Sequence, residues 1–145
     1  MQQAETALEL PSPALREVIE GAYACRAAGD AEGVMAFMDS DVEYAVIGSI
    51  AGQPLVPRLQ GKAKVSAHYT TFLMRWDLSG MQIQKVIIDG GVAVIETQGT
   101  MRYRVTGQAF ETSACDVLEF KQGLITRVRC YSDTFTIVRI AGLAL

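Results

Sequence analysis

Apolar positions in the first half of the chain recur at helical spacing. After Ser12-Pro13, a cap residue followed by proline in the first helical turn, one broad apolar stripe continues to Gly29. A second, shorter stripe follows the cap residue Asp30, and a third follows Gly61 in the segment KAKVSAHYTTFLMRW. The pattern therefore predicts three helices, of which the first two form an angled pair. The stripe of the first helix consists of Leu15, Val18, Ile19, Ala22, Tyr23 and Arg26.

The other segments are rich in β-branched and aromatic residues and are separated by turn signals, a pattern typical of strands. The predicted strands are residues 41–47, 81–89, 92–105, 109–120 and 124–137. The last four follow one another through short loops, which predicts an antiparallel meander. Residues 48–61 form a long loop with two prolines and are a candidate cavity mouth. The element order ααβαββββ predicts a single α+β domain over residues 1–145, with residues 1–11 frayed.

Two aspartates lie in the last predicted hairpin. A two-residue turn within the sequence KQG pairs Phe120 with Ile125 and Asp116 with Arg129. A three-residue turn or a bulge would change these pairs. With the two-residue turn, one face of the hairpin carries Leu118, Phe120, Ile125, Tyr131, Asp116 and Asp133.

Each aspartate has two interpretations. Asp116 either serves a pocket or forms an ordinary cross-strand ion pair with Arg129 on a rim. Asp133 either serves the same pocket or is the solvated end of its strand. A carboxylate among apolar neighbours costs free energy unless it is paired or used, so the pocket interpretation makes both residues candidates for a functional site.

The opposite face of this hairpin is also apolar, with Val117, Val128, Cys115 and Cys130. Two apolar faces indicate a sheet that is covered by helices on one side and by a partner on the other. The last segment, VRIAGLAL, is apolar as well and predicts either a cap on the domain or a contact with a partner.

Composition narrows the possible partners. Hydrophobic residues make up 50% of the chain and the net charge is −3 with scattered Lys and Arg, which excludes a nucleic-acid surface. No apolar run reaches the length of a membrane span and the first residues have no secretory pattern, so we expect a cytoplasmic protein without a membrane partner. Cys25, Cys115 and Cys130 are expected to be free thiols. With His68 as the single histidine, we expect no metal site, and no organic cofactor.

Several loose motifs, taken in order, resemble a known family. They are AYACRAAGDAEGVMAFMDSDVEYAVIGS, GKAKVSAHY, DGGVAVIE and ACDVLEFKQGLITRVRCYSDTF, and they span roughly residues 12 to 136. In these motifs the chain resembles the SnoaL-like polyketide cyclase and ketosteroid isomerase group of the NTF2-like superfamily. The resemblance implies a cone-shaped, curved antiparallel sheet wrapped around three helices, with a deep apolar pocket. It also implies a homodimer that packs through the outer sheet face.

The resemblance implies roles for some residues. Asp116 falls at the position of an aspartate that donates a hydrogen bond to the substrate oxygen in ketosteroid isomerases, and Tyr23 lies within one residue of a tyrosine that does the same. The general base of those enzymes has no counterpart, because its place falls near Ala45 and Val46. The nearest carboxylates are Asp41 and Glu43.

Asp133 resembles a different residue of the group. In the context Tyr131-Ser132-Asp133 it is similar to the acid/base aspartate in the last strand of SnoaL-like cyclases. The Arg-x-Asp pair that epoxide hydrolases of this superfamily need has no counterpart in the matching segment ETQG. His68 is either a packed histidine or a catalytic one, as in scytalone dehydratase-like relatives.

The predicted function is cofactor-independent proton transfer on a small apolar ligand. It would be an isomerisation, cyclisation or dehydration of an apolar carbonyl compound, polyketide-like or steroid-like, in a dry pocket. The alternative is a non-catalytic ligand-binding or dimerising accessory protein, because this fold hosts many functions. The predicted catalytic residues are Asp133, Asp116, Tyr23 and His68. The predicted substrate-binding residues are Tyr44, Phe72, Trp76, Leu118 and Tyr131.

Overall fold

Four helices and a six-stranded sheet make up the part of the chain that the computed structural model describes, residues 10–142. In chain order the elements are α1 (Ser12–Ala27), α2 (Ala31–Met35), β1 (Met38–Ile47), β2 (Ser49–Ile50), β3 (Gln53–Pro54), β4 (Leu59–Gln60), α3 (Lys62–Arg75), β5 (Trp76–Asp89), β6 (Val92–Tyr103), β7 (Ala109–Lys121), β8 (Leu124–Tyr131) and α4 (Thr134–Ala141). The frayed segment predicted for residues 1–11 lies almost entirely outside the described residues. None of the helices within residues 10–142 is long and apolar enough to cross a membrane.

The main sheet has the order β4-β1-β8-β7-β6-β5. The predicted antiparallel meander of β5 to β8 is confirmed. The exception to antiparallel pairing is β1, which lies parallel to β8 and antiparallel to the two-residue strand β4. The predicted mouth loop contains β4 and a small separate hairpin of β2 and β3. The α+β class and the curved, mostly antiparallel sheet are therefore as expected.

The register of the last hairpin differs from the predicted one. Phe120 pairs with Ile125 as predicted, but a bulge between Glu119 and Phe120 shifts every later pair by one residue. Asp116 consequently lies opposite Cys130 instead of Arg129. Because side chains alternate along a strand, this one-residue shift moves the part of β8 beyond the bulge, from Arg127 onward, to the face opposite the predicted one, while Ile125 keeps its predicted face.

The shift decides which side chains of β8 face the helices. Val128 and Cys130 are buried beside Leu118 and Asp116, on the inner face. Tyr131, which was predicted to line the pocket, is instead 40% exposed and pairs with Cys115.

The predicted continuation of the last strand to residue 137 is wrong. The strand ends at Tyr131, and Asp133 caps helix α4 by accepting hydrogen bonds from the Thr136 amide (3.0 Å) and the Thr136 hydroxyl (2.6 Å). Gly142, in the left-handed conformation, follows the last turn. The fold thus has four helices among the described residues and not the predicted three.

Helices α1 and α3 pack on the inner face of the sheet. One buried cluster joins them, and its members include Leu15, Ile19, Val65, Leu73, Ile95, Leu118, Phe120 and Ile125. Alternate side chains point to the outer face, where Ile87, Val92 and Tyr131 are 55%, 39% and 40% exposed. The outer face is therefore partly apolar, as expected, and the homodimer through it stays a prediction.

Two glycines allow strands β5 and β6 to approach closely where β5 is irregular. Gly99 pairs with Met81 and has a φ of +146°, and Gly80 pairs with Thr100 next to a bulge in β5. A Cβ atom added at Gly99 would lie 2.0 Å from the Gly80 carbonyl oxygen. Backbone atoms cannot move aside as a flexible side chain can, so this part of the curved sheet requires glycine.

Gly99→Ala is expected to lower the free energy of unfolding by about 1–3 kcal/mol more than the control Gly107→Ala, because it adds a backbone clash to the conformational strain. Gly107 also has a positive φ, +77°, but nothing lies within 4 Å of its added Cβ. Urea unfolding of both variants measures the difference. Equal losses in the two variants would show that no close approach exists at Gly99.

Candidate active site

A cavity of about 250 Å³ lies between the inner sheet face, α3 and α4. Apolar and aromatic side chains make up most of its wall: Val46, Phe72, Trp76, Leu78, Met81, Met101, Tyr103, Ile137 and Val138. The predicted mouth loop contributes Leu55 and Val56, and helix α3 contributes the exposed residues Thr71 and Arg75. Residues 138–141 of the apolar segment that starts at Val138 belong to α4, and Val138 and Ala141 line one side of the cavity; a contact of this segment with a partner stays a prediction.

Asp116 is the only buried carboxylate among the described residues and is 5% exposed. Strand β7 places it on the inner face, on the cavity wall. Its Oδ2 atom accepts a hydrogen bond from the Tyr23 hydroxyl and lies 3.6 Å from Nη1 of Arg26. Its Oδ1 atom has no hydrogen-bond partner in the described part of the chain. One oxygen of the carboxylate is therefore held in place, and the other is buried without a hydrogen-bond partner.

Helix α1 supplies both partners of Asp116. Tyr23 and Arg26 are three residues apart, which puts them on the same side of the helix. Their side chains also contact each other, with the guanidinium carbon 5.5 Å from the centre of the Tyr23 ring. Arg26 belongs to the apolar stripe predicted for α1 and was not among the predicted site residues. A cation on a stripe that faces the core was the signal that could have identified it.

The Arg26 guanidinium has more donors than the protein uses. Its side chain is 17% exposed, and among the described residues its one charged partner is Asp116. A guanidinium carries five N–H donors, and no Arg26 nitrogen is among the fully buried atoms of the described residues that lack a partner, so the donors that the protein does not use are accessible. Arg26 lines the main cavity and also two small adjoining ones of about 20 and 30 Å³. Its unused donors can therefore reach a ligand.

Burial keeps three phenols near Asp116 in their neutral form. It raises the pKa of Tyr23 well above the usual value, and the Asp116 charge raises it further. Burial likewise raises the pKa values of Tyr44 and Tyr69. All three hydroxyls are hydrogen-bond donors at neutral pH, and the Tyr23 donor is already committed to Asp116.

Arg26 and Cys130 complete the electrostatics of the site. Burial, the largest single effect, lowers the pKa of Arg26, but the Asp116 carboxylate together with Tyr23, Cys130 and Tyr69 raises that pKa by more, so the guanidinium is charged. Burial, then the Asp116 charge, raises the pKa of Cys130 well above its usual value. Cys130 is therefore a neutral thiol and a poor nucleophile. The inner end of the cavity thus holds one anion and one cation.

His68 lies on a different part of the cavity wall. Its ring is stacked on Phe72 with centroids 6.0 Å apart and is tilted against Tyr44 at 4.7 Å. Burial lowers the pKa of His68, so the imidazole is neutral at pH 7 and offers one donor and one acceptor.

The lowered pKa of His68 predicts a loss of stability at mildly acidic pH. Above about pH 6.5, the ordinary histidine value, His68 is neutral in both the folded and the unfolded state and contributes nothing. Below that value the unfolded chain binds the proton first, so the free energy of unfolding falls until the folded protein is protonated as well. Urea unfolding at pH 7.5 and 5 should therefore show a larger loss for the wild type than for His68→Gln. Equal losses of unfolding free energy in the wild type and in His68→Gln would contradict the lowered pKa of His68.

The structure brings most of the predicted site residues together. Asp116, His68, Tyr44, Phe72 and Trp76 all line the main cavity. Two further residues lie behind Asp116 on the 20 Å³ cavity, namely Tyr23 and Leu118. Neither Tyr131 nor Asp133 lines any of these three cavities, because β8 shifts in register beyond Phe120 and ends at Tyr131.

The alternative carboxylates from the sequence are not at the cavity either. Glu43 forms ion pairs with Arg58 at 2.6 Å and with Arg127 at 3.6 Å. Asp41 does not line the cavity. Within residues 10–142, no group of three His, Cys, Asp or Glu side chains is placed to hold a metal ion.

Comparisons with known proteins agree with this architecture. The family model of the SnoaL-like domain matches residues 19–128. No curated protein matches the chain at a significant level. Among solved structures, a candidate isomerase from Bacillus subtilis superposes with a TM-score of 0.80 at 19% identity, covering 92% of this chain and 96% of that one.

Two other solved structures have related folds and different described activities. A candidate polyketide cyclase from Xanthomonas campestris matches with a TM-score of 0.70 at 17% identity, over 88% of this chain and 96% of its own. An LEH-like epoxide hydrolase from Mycobacterium tuberculosis matches with a TM-score of 0.67 at 16% identity, over 90% of this chain and 97% of its own. At these identities the similarity shows the fold alone.

Proposed function

Because the chain belongs to the SnoaL-like family, whose fold neighbours include candidate isomerases and polyketide cyclases, we propose that it is a cofactor-independent proton-transfer enzyme. Its substrate would be a small, largely apolar carbonyl compound, and the reaction an isomerisation, cyclisation or dehydration. The observation that carries this proposal is the buried Asp116 on the wall of an apolar cavity, with Oδ2 held by Tyr23 and Oδ1 free.

Asp116 is the proton acceptor in this proposal. Its carboxylate removes a proton from the carbon next to the substrate carbonyl and returns it to another atom of the same substrate. Tyr23 and Arg26 fix the carboxylate by binding Oδ2, so that the free oxygen has a defined direction. The apolar wall excludes water, which would otherwise compete for the proton and weaken the electrostatic interactions.

This arrangement reverses the role that the resemblance implied for Asp116. The aspartate at this position was expected to donate a hydrogen bond to the substrate. In the structure it accepts a hydrogen bond from Tyr23 and lies 3.6 Å from a guanidinium nitrogen, which supports the role of a proton acceptor. The proposal thereby removes the need for the base that has no counterpart near Val46.

Proton transfer can be tested without knowing the natural substrate. Small apolar ketones and 1,3-dicarbonyl compounds are incubated with the protein in D₂O, and proton NMR follows the loss of the signal from the carbon next to the carbonyl. We expect exchange with the wild type for compounds that also raise the melting temperature, and loss of that exchange with Asp116→Asn.

One result would favour the non-catalytic alternative. If compounds stabilise the protein but none exchanges faster than in buffer, the cavity binds ligands without acting on them. Exchange that is the same in the wild type and in Asp116→Asn would remove Asp116 from the mechanism.

A further inference from the structure

The least explained group at the cavity is the Arg26 guanidinium. A buried cation normally has its N–H donors occupied, because each unpaired donor costs free energy. Nη1 of Arg26 lies 3.6 Å from Oδ2 of Asp116, and the guanidinium carbon lies over the Tyr23 ring, 5.5 Å from its centre. Arg26 lines the cavity, so the N–H donors that Asp116 does not use are available to a ligand there.

We propose that Arg26 binds the carbonyl oxygen of the substrate and stabilises the negative charge that develops there, and that the substrate is an enolisable ketone. This inference rests on the function proposed above and adds a second catalytic residue to it. The ketone oxygen would accept hydrogen bonds from the guanidinium, and the adjacent C–H bond would point at the Asp116 carboxylate. Both groups belong to one ion pair on one wall, so a single small molecule can reach both.

The chemical step balances within the site. The C–H bond next to the carbonyl breaks and its proton goes to Asp116. The electron pair of that bond forms the C=C bond of the enolate, and the carbonyl π pair moves onto the oxygen beside Arg26. Return of the proton from Asp116 to another carbon of the enolate regenerates the carboxylate and completes the isomerisation, so no oxidant, reductant or metal takes part.

The charge of the site is the physical reason for choosing Arg26. Before the step, the cation is paired with the Asp116 carboxylate, and after it the same cation is paired with the enolate. The negative charge moves between two positions that share one counter-ion, so the net charge of a water-poor site does not change. Positioned charges of this kind are strongest where water is excluded.

The other polar groups at the cavity are less suited to this role. Tyr23 donates its single hydroxyl proton to Asp116. Tyr44 and Tyr69 are neutral and carry no counter-charge. Arg75 is an exposed residue, so water screens its charge.

The binding of 2-naphthol tests the assignment without any turnover. This flat apolar molecule carries one acidic hydroxyl, and its ionised form mimics an enolate. Asp116→Asn mimics the site after the proton has moved, because Asn is neutral like a protonated aspartate. In that variant Arg26 is an unbalanced cation and should lower the pKa of bound 2-naphthol by about one unit or more, roughly tenfold in its ionisation constant. The pKa is read from the absorption spectrum of the bound molecule during a pH titration.

Two companion variants assign the effect to Arg26. The double variant Arg26→Met/Asp116→Asn removes both charges and so leaves no buried charge unpaired. The pKa of bound 2-naphthol should then not be lowered. Arg26→Lys combined with Asp116→Asn keeps the charge and should retain part of the pKa shift. If the pKa of bound 2-naphthol is the same with and without Arg26, the proposed role of Arg26 is wrong. The role is also wrong if the pKa of 2-naphthol is not lowered in Asp116→Asn, or if 2-naphthol does not bind to that variant.

The proposed function and this inference can fail separately. If Asp116→Asn keeps full deuterium exchange, the proposed function is wrong whatever 2-naphthol does. If exchange is lost in Asp116→Asn while bound 2-naphthol keeps its ordinary pKa, Asp116 remains the base and the role of Arg26 alone is withdrawn.

Discussion

Asp116→Asn is expected to slow deuterium exchange of a bound ketone by about 10²- to 10⁴-fold, the usual contribution of a positioned acid or base. Asparagine has nearly the same shape as aspartate and can still accept the hydrogen bond from Tyr23. It cannot take up a proton at neutral pH, so the loss should appear in the rate and not in ligand binding. Thermal shift measurements with the same ketone check that binding is retained.

Two other aspartates serve as comparisons for this prediction. Asp89→Asn, at the exposed end of β5, controls for the loss of one surface carboxylate. Asp133→Asn separates the sequence-based interpretation from the structural one, because asparagine is also a good helix cap and should preserve α4. Both variants should exchange at rates close to the wild type. If Asp133→Asn loses activity and Asp116→Asn does not, the acid/base role belongs to Asp133, as its likeness to the cyclases implied.

Arg26→Met is expected to lower the free energy of unfolding by about 3–5 kcal/mol, the usual cost of breaking a buried ion pair by removing one partner. Methionine fills part of the space of the arginine stem but leaves the Asp116 carboxylate buried without its counter-ion. The double variant Arg26→Met/Asp116→Asn removes the unpaired charge. It should therefore be markedly more stable than Arg26→Met alone, since replacing both members of a buried pair is often near neutral.

Urea unfolding of the wild type, Arg26→Met and the double variant measures this coupling. Arg58→Met is the matched control. Arg58 also pairs with a carboxylate, Glu43, at 2.6 Å, but its side chain is 64% exposed, so its loss should cost about 0–1 kcal/mol. Equal losses in Arg26→Met and Arg58→Met, or no recovery in the double variant, would show that the Arg26–Asp116 pair is solvated and does not form the described site.

Local patterns predicted the elements whose register does not depend on distant residues. The stripe after Ser12 gave α1, and the cap at Asp30 gave α2 with its side chain bound to the Gly33 amide at 2.9 Å. The meander of β5 to β8 followed from short turns between β-rich segments. Such patterns succeed because hydrophobic spacing and turn chemistry act over a few residues.

The errors fall where a distant contact decides between local alternatives. The segment after Tyr131 contains the β-branched residues Thr134, Thr136, Ile137 and Val138, which favour a strand. The same segment starts with a cap residue and has apolar residues at helical spacing, and burial of Val138 against the cavity favours the helix. The bulge next to Phe120 likewise follows from how β7 and β8 fit the curved sheet, and a turn sequence alone does not predict it.

The sequence by itself determined the α+β class, three of the helices, the meander and the membership of Asp116, Tyr23 and His68 in one candidate site. These depend on side-chain periodicity and on the order of motifs. Only the tertiary structure decided that Asp116 faces the cavity while Asp133 caps a helix, and that Arg26 is the partner of Asp116. Residues 26 and 116 are ninety positions apart, and their pairing exists only because the curved sheet brings β7 against α1. The chemistry of the site follows from that contact, because an isolated strand cannot supply a buried carboxylate with its counter-ion.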